Sequence, residues 1–329
     1  MFRLFLILIF LLNFANFSFS TDYNKRDYNL LNNKLTIYIE NNELNKQIFK
    51  QIQKRLAIIQ SVLDTSKSDS FVSRFNRMEK YSEISLPDLF VDSFKILVNF
   101  KEISKGKFDP TTFSVIASST KLEKVNFLLN SDLYDKCISL DNVEKKISNV
   151  FFKTQSCTKI SFDSIIEGIV VEDIKYFLEK NNVTSYMINF GTTFHRRDFD
   201  DSKNNQSGKS FLSESIIKKL SAVGVNINSI DSFSYLNNFK KNKIKTYYID
   251  AKKNIVSFQN NIFVIIASDS PANNNILANV YNLSDFKNKK YDNVHNLEIP
   301  ILIIYEDRKL TKVIFSKKFE KYLYEDNVN

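Results

Sequence analysis

Glycine has been almost purged from this chain, with five positions in 329 residues where average usage would place about 23. Turns that need a left-handed backbone, and crossings where two segments approach closely, normally draw on glycine. The few survivors are therefore expected where any other residue would strain the backbone. With 43% hydrophobic and 25% charged side chains, the chain has enough apolar material to bury a core. That excludes a disordered tail and a disulfide-stapled miniprotein.

The N-terminus sets the expected compartment. Arg3 precedes an unbroken apolar run from Leu4 to Leu12, and Ser18 and Ser20 provide a small-residue exit. This is the layout of a secretory signal peptide, so residues 1–20 are expected to be removed and residues 21–329 to form the mature domain. The run falls short of the roughly 20 residues a membrane span needs, and neither a lipid-anchoring cysteine nor a second long apolar stretch follows. The expectation is an exported, soluble, periplasmic protein with no stable membrane insertion after signal cleavage. An uncleaved anchor in the inner membrane is the competing reading.

An oxidising compartment would let the only two cysteines, Cys137 and Cys157, pair, but pairing depends on a Cα approach that sequence does not report. Two histidines and two cysteines far apart provide neither zinc spacing nor a Cys/His nucleophile. The net charge of +9 comes from lysines interleaved with acidic and amide side chains, as at Lys240, Lys241, Lys243 and Lys245. That is the pattern of a solvated surface, so no nucleic-acid partner is expected.

Periodicity predicts mixed elements. Residues 34–40 alternate as a strand. Ile48, Phe49, Ile52, Leu56, Ile59 and Val62 form the stripe of an amphipathic helix over 44–64, and Phe90, Phe94, Leu97 and Val98 repeat it over 87–104. A helix entered through Gly168 is expected over 165–180, then a strand over 183–190 ending at Gly191. The polar run 195–210, opening on His195-Arg196-Arg197, reads as an exposed loop. Residues 261–267 and 299–305 read as buried strands, with a helix at 272–282 entered through Ser270-Pro271. Helices and strands mix without strict alternation, which predicts a single α+β domain.

Four ordered segments resemble the FAD:protein FMN transferase family, often called ApbE. Ser70-Phe71-Val72-Ser73-Arg74-Phe75-Asn76 is similar to its serine-rich turn ending in Arg-Leu-Asn. Gly106-Lys107-Phe108-Asp109-Pro110-Thr111 is close to its Gly-x-Phe-Asp-Pro-Thr loop. Ser161 to Asp173, followed by Ser185 to Gly191, resembles its Asp-Leu-Gly-Gly-Ile-Ala-Lys-Gly helix start and Asn-x-Gly-Gly turn. Phe263 to Tyr281 is similar to the strand and helix bearing its Ala-Asp-x-x-x-Thr metal signature.

The resemblance implies a compact domain related to the T-fold. It also implies a Mg²⁺-dependent activity that takes FAD as substrate, moves FMN to a Ser or Thr hydroxyl of a flavoprotein acceptor, and releases AMP. By the same resemblance Ser73, Asn76, Phe108, Asp109, Glu167, Gly168, Asn189 and Gly191 would contact the cofactor, Asn275, Asn279 and Asp163 the metal, and Asp250 and Tyr247 would serve catalysis.

Several of these positions depart from the family pattern. Glu167 replaces a lysine, and a carboxylate repels a pyrophosphate unless a cation intervenes. Asp163, Ser164, Thr192 and Asn254 stand where glycines are expected. Asn275 and Asn279 replace an aspartate and a threonine, so a neutral carbonyl stands where the family has a carboxylate. Tyr247 replaces a histidine and, with an ordinary pKa near 10, is a poor base at neutral pH. Glu167 and Asp163 also admit a plainer reading as solvated acids at a helix start, favoured there by the dipole. Three functions stay open on sequence: an active transferase with altered ligands, a degenerate member that still holds a flavin nucleotide or a partner protein, and an exported scaffold without ligand.

Overall fold

In the computed structural model the described residues are 23–31, 33–116, 132–199, 218, 220–226, 229–237, 247–252, 255–258, 261–282, 292–307 and 310–324. The expected signal peptide and Asn254 lie outside them. An eight-stranded antiparallel sheet organises the chain. It is built from β1 (Tyr23–Leu30), β2 (Asn33–Glu40), β6 (Tyr186–Phe190), β7 (Thr193–Arg197), β8 (Ser232–Asn237), β11 (Asn261–Ala267), β12 (Ile301–Asp307) and β13 (Leu310–Phe315), paired in that order. Two small sheets flank it: β3 (Glu83–Ser85), β5 (Val150–Lys153) and β4 (Val143–Lys145) in the order 3-5-4, and a ribbon of β9 (Tyr247–Asp250) and β10 (Ile255–Phe258).

The four predicted helices appear as α1 (Asn45–Leu63), α3 (Asp88–Ile103), α4 (Ile166–Lys180) and α5 (Pro271–Asn282), and the serine-rich segment forms a short further helix, α2 (Phe71–Asn76). On α1 the buried apolar residues are Ile48, Phe49, Ile52, Leu56, Ile59, Val62 and Leu63, the predicted stripe lengthened by one. Ser70 caps α2 by accepting the Ser73 N–H at 3.1 Å, and Pro87 opens α3 with Asp88 in its first turn. These helices and α4 bury one face of the N-terminal half of the sheet in a core containing Ile37, Phe75, Phe90, Phe162, Val170 and Ile188. The opposite face forms a second core, with Phe194, Phe233, Ile265 and Ile304, under Leu220, Val225 and the turn holding Phe319.

Two expectations need correction. The helix at 165–180 is not entered through Gly168 but starts at Ile166, with Gly168 inside its first turn. The stretch read as an exposed loop from 195 begins instead as β7, in the interior of the sheet, pairing Ile188 with His195 and His195 with Ser232; residues 200–210 lie outside the described set. β7 looked polar because its side chains meet polar partners inside. Thr193 bonds Ser234 at 2.8 Å, and His195 Nε2 lies 3.1 Å from the Tyr186 hydroxyl. Beneath the α4–α5 side this seam continues through Ser232 to Asn274, whose Nδ2 reaches the Ser232 hydroxyl at 3.2 Å.

Cys137 and Cys157 are joined in a disulfide, their Cα atoms 5.4 Å apart. Next to it Lys153 is buried and donates to the carbonyls of Asn76, Ser156 and Thr158 at 3.0 to 3.1 Å. All three donors of its ammonium are thus used, while burial pulls its pKa from 10.5 to about 8.

Candidate functional site

The sequence segments singled out above, spread from residue 70 to 281, are tied down at four junctions. Asn76 ends α2 with its side chain inserted across the chain: Nδ2 donates to the Ile160 carbonyl at 2.9 Å, and Oδ1 accepts the Ile160 N–H at 2.8 Å. That amide clamp fixes the segment leading into α4. The Gly106–Thr111 loop meets β9 where the Ala251 N–H donates to the Lys107 carbonyl at 2.9 Å, which brings the loop beside the strand bearing Tyr247 and Asp250. α4 crosses α5 at Gly168, where an added Cβ would lie 2.8 Å from both the Ala272 Cα and the Asn275 Cβ. Such a crossing leaves no room for a side chain at 168.

The fourth junction is made by Glu167. Its carboxylate reaches the hairpin turn between β6 and β7, where Gly191 has φ +59°. There Oε2 accepts the Thr192 N–H at 2.8 Å and the Thr192 hydroxyl at 2.6 Å, and Oε1 accepts from Asn33 Nδ2 at 3.3 Å. A Cβ on Gly191 would fall 1.9 Å from Glu167 Oε1. Burial raises the Glu167 carboxyl above its ordinary pKa, opposed by the two Thr192 hydrogen bonds. Glu167 is therefore an internal ligand of the turn rather than a solvated acid at a helix start. Asp163 differs: its surface is open to solvent, yet the protein crowds it enough for desolvation to raise its carboxyl, with the Asp64 charge adding to the rise.

A model of the ApbE family matches residues 31–205, over half of the sequence. This chain belongs to the ApbE family. Solved structures agree in fold. The flavin transferase ApbE from Vibrio cholerae superposes with a TM-score of 0.72 at 12% identity, over 92% of this chain and 100% of that one. The flavinyl transferase ApbE of Pseudomonas stutzeri, apo form, gives 0.71 at 13%, over 92% and 97%. The apbe protein of Thermotoga maritima gives 0.67 at 13%, over 92% and 100%. No curated protein matches by sequence.

Within this ApbE fold most of the expected cofactor residues also build the frame. The Ser73 hydroxyl donates to the Thr65 carbonyl at 3.2 Å, and Phe108 stacks on Phe100 with ring centroids 3.9 Å apart. Asp109 is buried and caps the turn after it: Oδ1 accepts the Thr111 N–H at 2.9 Å and the Thr111 hydroxyl, and Oδ2 accepts the Leu140 N–H at 3.2 Å beside Lys101 Nζ, also at 3.2 Å. Asn189 lies inside the sheet, opposite Thr36 and Phe194. Tyr247 and Asp250 lie on β9, in register with Phe258 and Ile255.

The expected metal positions come together only in part. Asn279 Nδ2 donates to the Ser164 carbonyl at 3.0 Å and to the Asn275 carbonyl at 2.9 Å, so α5 and the Asp163–Ser164 loop share one corner with Gly168. At that corner the Asn275 Oδ1 is buried without a hydrogen-bond partner, an acceptor that a cation would satisfy. Glu167 is turned away to Thr192. Among the described residues no three His, Cys, Asp or Glu side chains gather as ligands. Amide oxygens are ligands of the chemical type a hard cation takes, and Asp163 is the single carboxylate among the three expected ligands.

Sequence reasoning missed Thr192 and Asn33 as partners of Glu167. The signal was present as a matched pair of departures: an acid where the family has lysine, and a hydroxyl residue where it has glycine.

Proposed function

We propose that this protein acts as an FAD:protein FMN transferase. It would bind FAD, pass FMN to a Ser or Thr hydroxyl of a flavoprotein acceptor, and release AMP. The observation that supports this best is that the family-like segments are tied into one frame: Asn76 to Ile160 just ahead of the third segment, Lys107 to Ala251 at the end of β9, Gly168 of the third segment against Asn275 of the fourth, and Glu167 to Thr192 at the β6–β7 turn. In the reaction the acceptor oxygen attacks the flavin-side phosphorus, the bond from that phosphorus to the bridging oxygen breaks, AMP leaves with that oxygen, and the hydroxyl proton is lost. Asp250 is the group assigned to receive that proton, and Tyr247 stands at the other end of the same strand. The Gly106–Thr111 loop, tied to β9 and braced by Asp109, holds that strand against the rest of the site. Mg²⁺ held by Asn275, Asn279 and Asp163 would offset charge on the pyrophosphate.

A second reading is favoured by Glu167, which places a carboxylate on the turn where the family pattern has lysine and glycine. In that reading the chain holds a flavin nucleotide or a partner protein without turnover. Purified protein with FAD, an acceptor flavoprotein domain and a series of divalent metals separates the two. A flavin-fluorescent acceptor band is expected for the transferase, and its absence with every metal would leave the binding role alone.

Export is part of the proposal. The Cys137–Cys157 disulfide supports an oxidising compartment, and no described helix is long and apolar enough to cross a membrane.

A further inference from the structure

The turn between β6 and β7 is built like an anion seat, and the chain fills it with its own side chain. Three donors converge on one carboxylate: the Thr192 N–H at 2.8 Å, the Thr192 hydroxyl at 2.6 Å and the Asn33 amide at 3.3 Å. Asn33 opens β2 two residues before Leu35, the register partner of Phe190, so the pairing of β2 with β6 delivers it to the mouth of the turn. Gly191, at φ +59°, contributes a bare Cα against which Oε1 rests, since a Cβ would come within 1.9 Å. Backbone N–H groups at turns of this kind form concavities that favour anions, and a hydroxyl with an amide completes a donor set that a phosphate oxygen could take as readily as a carboxylate oxygen.

The occupant is poorly rewarded for staying charged. Burial disfavours its ionised form, and Glu167 stands in the first turn of α4, so displacing it asks for a change of side-chain rotamer and not of the backbone.

We propose that the Gly191–Thr192 turn with Asn33 is a seat for a phosphate group, and that Glu167 is its internal occupant, so a phosphorylated ligand enters only by displacing that carboxylate. The identity of the ligand as a flavin nucleotide rests on the proposed function; the seat does not. A ligand without phosphate gains nothing from the seat and is indifferent to Glu167. A phosphorylated one must compete with the carboxylate and then lie near its charge. Glu167 thereby sets preference among flavins by their phosphate content.

The test uses the full chain, ¹⁵N-labelled, with inorganic phosphate as the probe and the Thr192 amide as the reporter. In Glu167→Ala, phosphate is expected to shift that amide saturably, at a concentration at least tenfold below any effect on the wild type. Glu167→Gln keeps the side chain's volume and removes its charge; its amide oxygen can still accept from Thr192, so it gives a smaller shift in the same direction if the alanine variant fails to fold. A parallel fluorescence titration is expected to show the FMN-to-riboflavin affinity ratio rising at least tenfold in the variants, with riboflavin affinity unchanged. A Thr192 amide that phosphate leaves unmoved in a folded variant would overturn the seat. Phosphate binding without binding of any flavin would keep the seat and remove the flavin reading.

Discussion

The Glu167 carboxylate takes both donors of Thr192, the backbone N–H at 2.8 Å and the hydroxyl at 2.6 Å. This couples the first turn of α4 to the β6–β7 hairpin and joins two departures from the family pattern in one interaction. A charge reversal at 167 would leave a half-buried acid unpaired, and the gain of a hydroxyl at 192 pairs it. The same contact explains why glycine persists at 191.

Gly191→Ala is expected to destabilise the fold by about 2 kcal/mol, from the left-handed backbone and the clash with the acid. In a Glu167→Ala background the clash disappears. The two substitutions should therefore be non-additive by at least about 0.5 kcal/mol in a denaturant-unfolding cycle. Additive losses would mean that the carboxylate does not rest on Gly191.

Gly168→Ala tests the helix crossing. The added methyl meets the Ala272 backbone at 2.8 Å, which cannot yield as a flexible side chain would. Overpacking of this kind costs about 1–3 kcal/mol, and a lower melting temperature with unchanged helical circular dichroism is expected.

His195 gives the fold an acid limit. Burial, with help from the Lys175 and Arg197 charges, pulls its pKa from 6.5 to about 3. The unfolded chain therefore binds the proton first as pH falls, so stability is fully present above about 6.5 and is lost progressively towards 3. His195→Gln removes this titration. Denaturant midpoints measured between pH 7 and pH 4 should fall more steeply for the wild type than for the variant.

Opening the Cys137–Cys157 bond, which spans a sequence separation of 20, should cost about 3 kcal/mol on chain-entropy grounds. The paired serine variant, compared with the wild type with and without reductant, checks this. Reductant should lower the wild-type melting point and leave the variant's unchanged.

The parts of this architecture legible in the sequence share one property: a single local pattern specifies them. The stripe from Ile48 to Val62 predicted a helix over 44–64, and the helix occupies Asn45–Leu63. Gly168 and Gly191, kept in a chain nearly without glycine, do mark a close crossing and a left-handed turn. What escaped depends on partners far away in sequence. His195 looks like a loop residue until the Tyr186 hydroxyl is placed against its ring, because buried polar seams carry no hydrophobic period. Glu167 looked like a solvated acid because its donors, Asn33 and Thr192, lie 134 and 25 residues away. The pairing of the cysteines was open for the same reason.

The central claim, that this ApbE-family chain holds a flavin nucleotide, is tested most directly by titrating FAD into the purified full-length protein and following flavin fluorescence anisotropy, with AMP as competitor. Saturable binding of FAD, relieved by AMP, is the predicted result. A protein that is folded by circular dichroism yet binds neither FAD nor FMN nor AMP would contradict it.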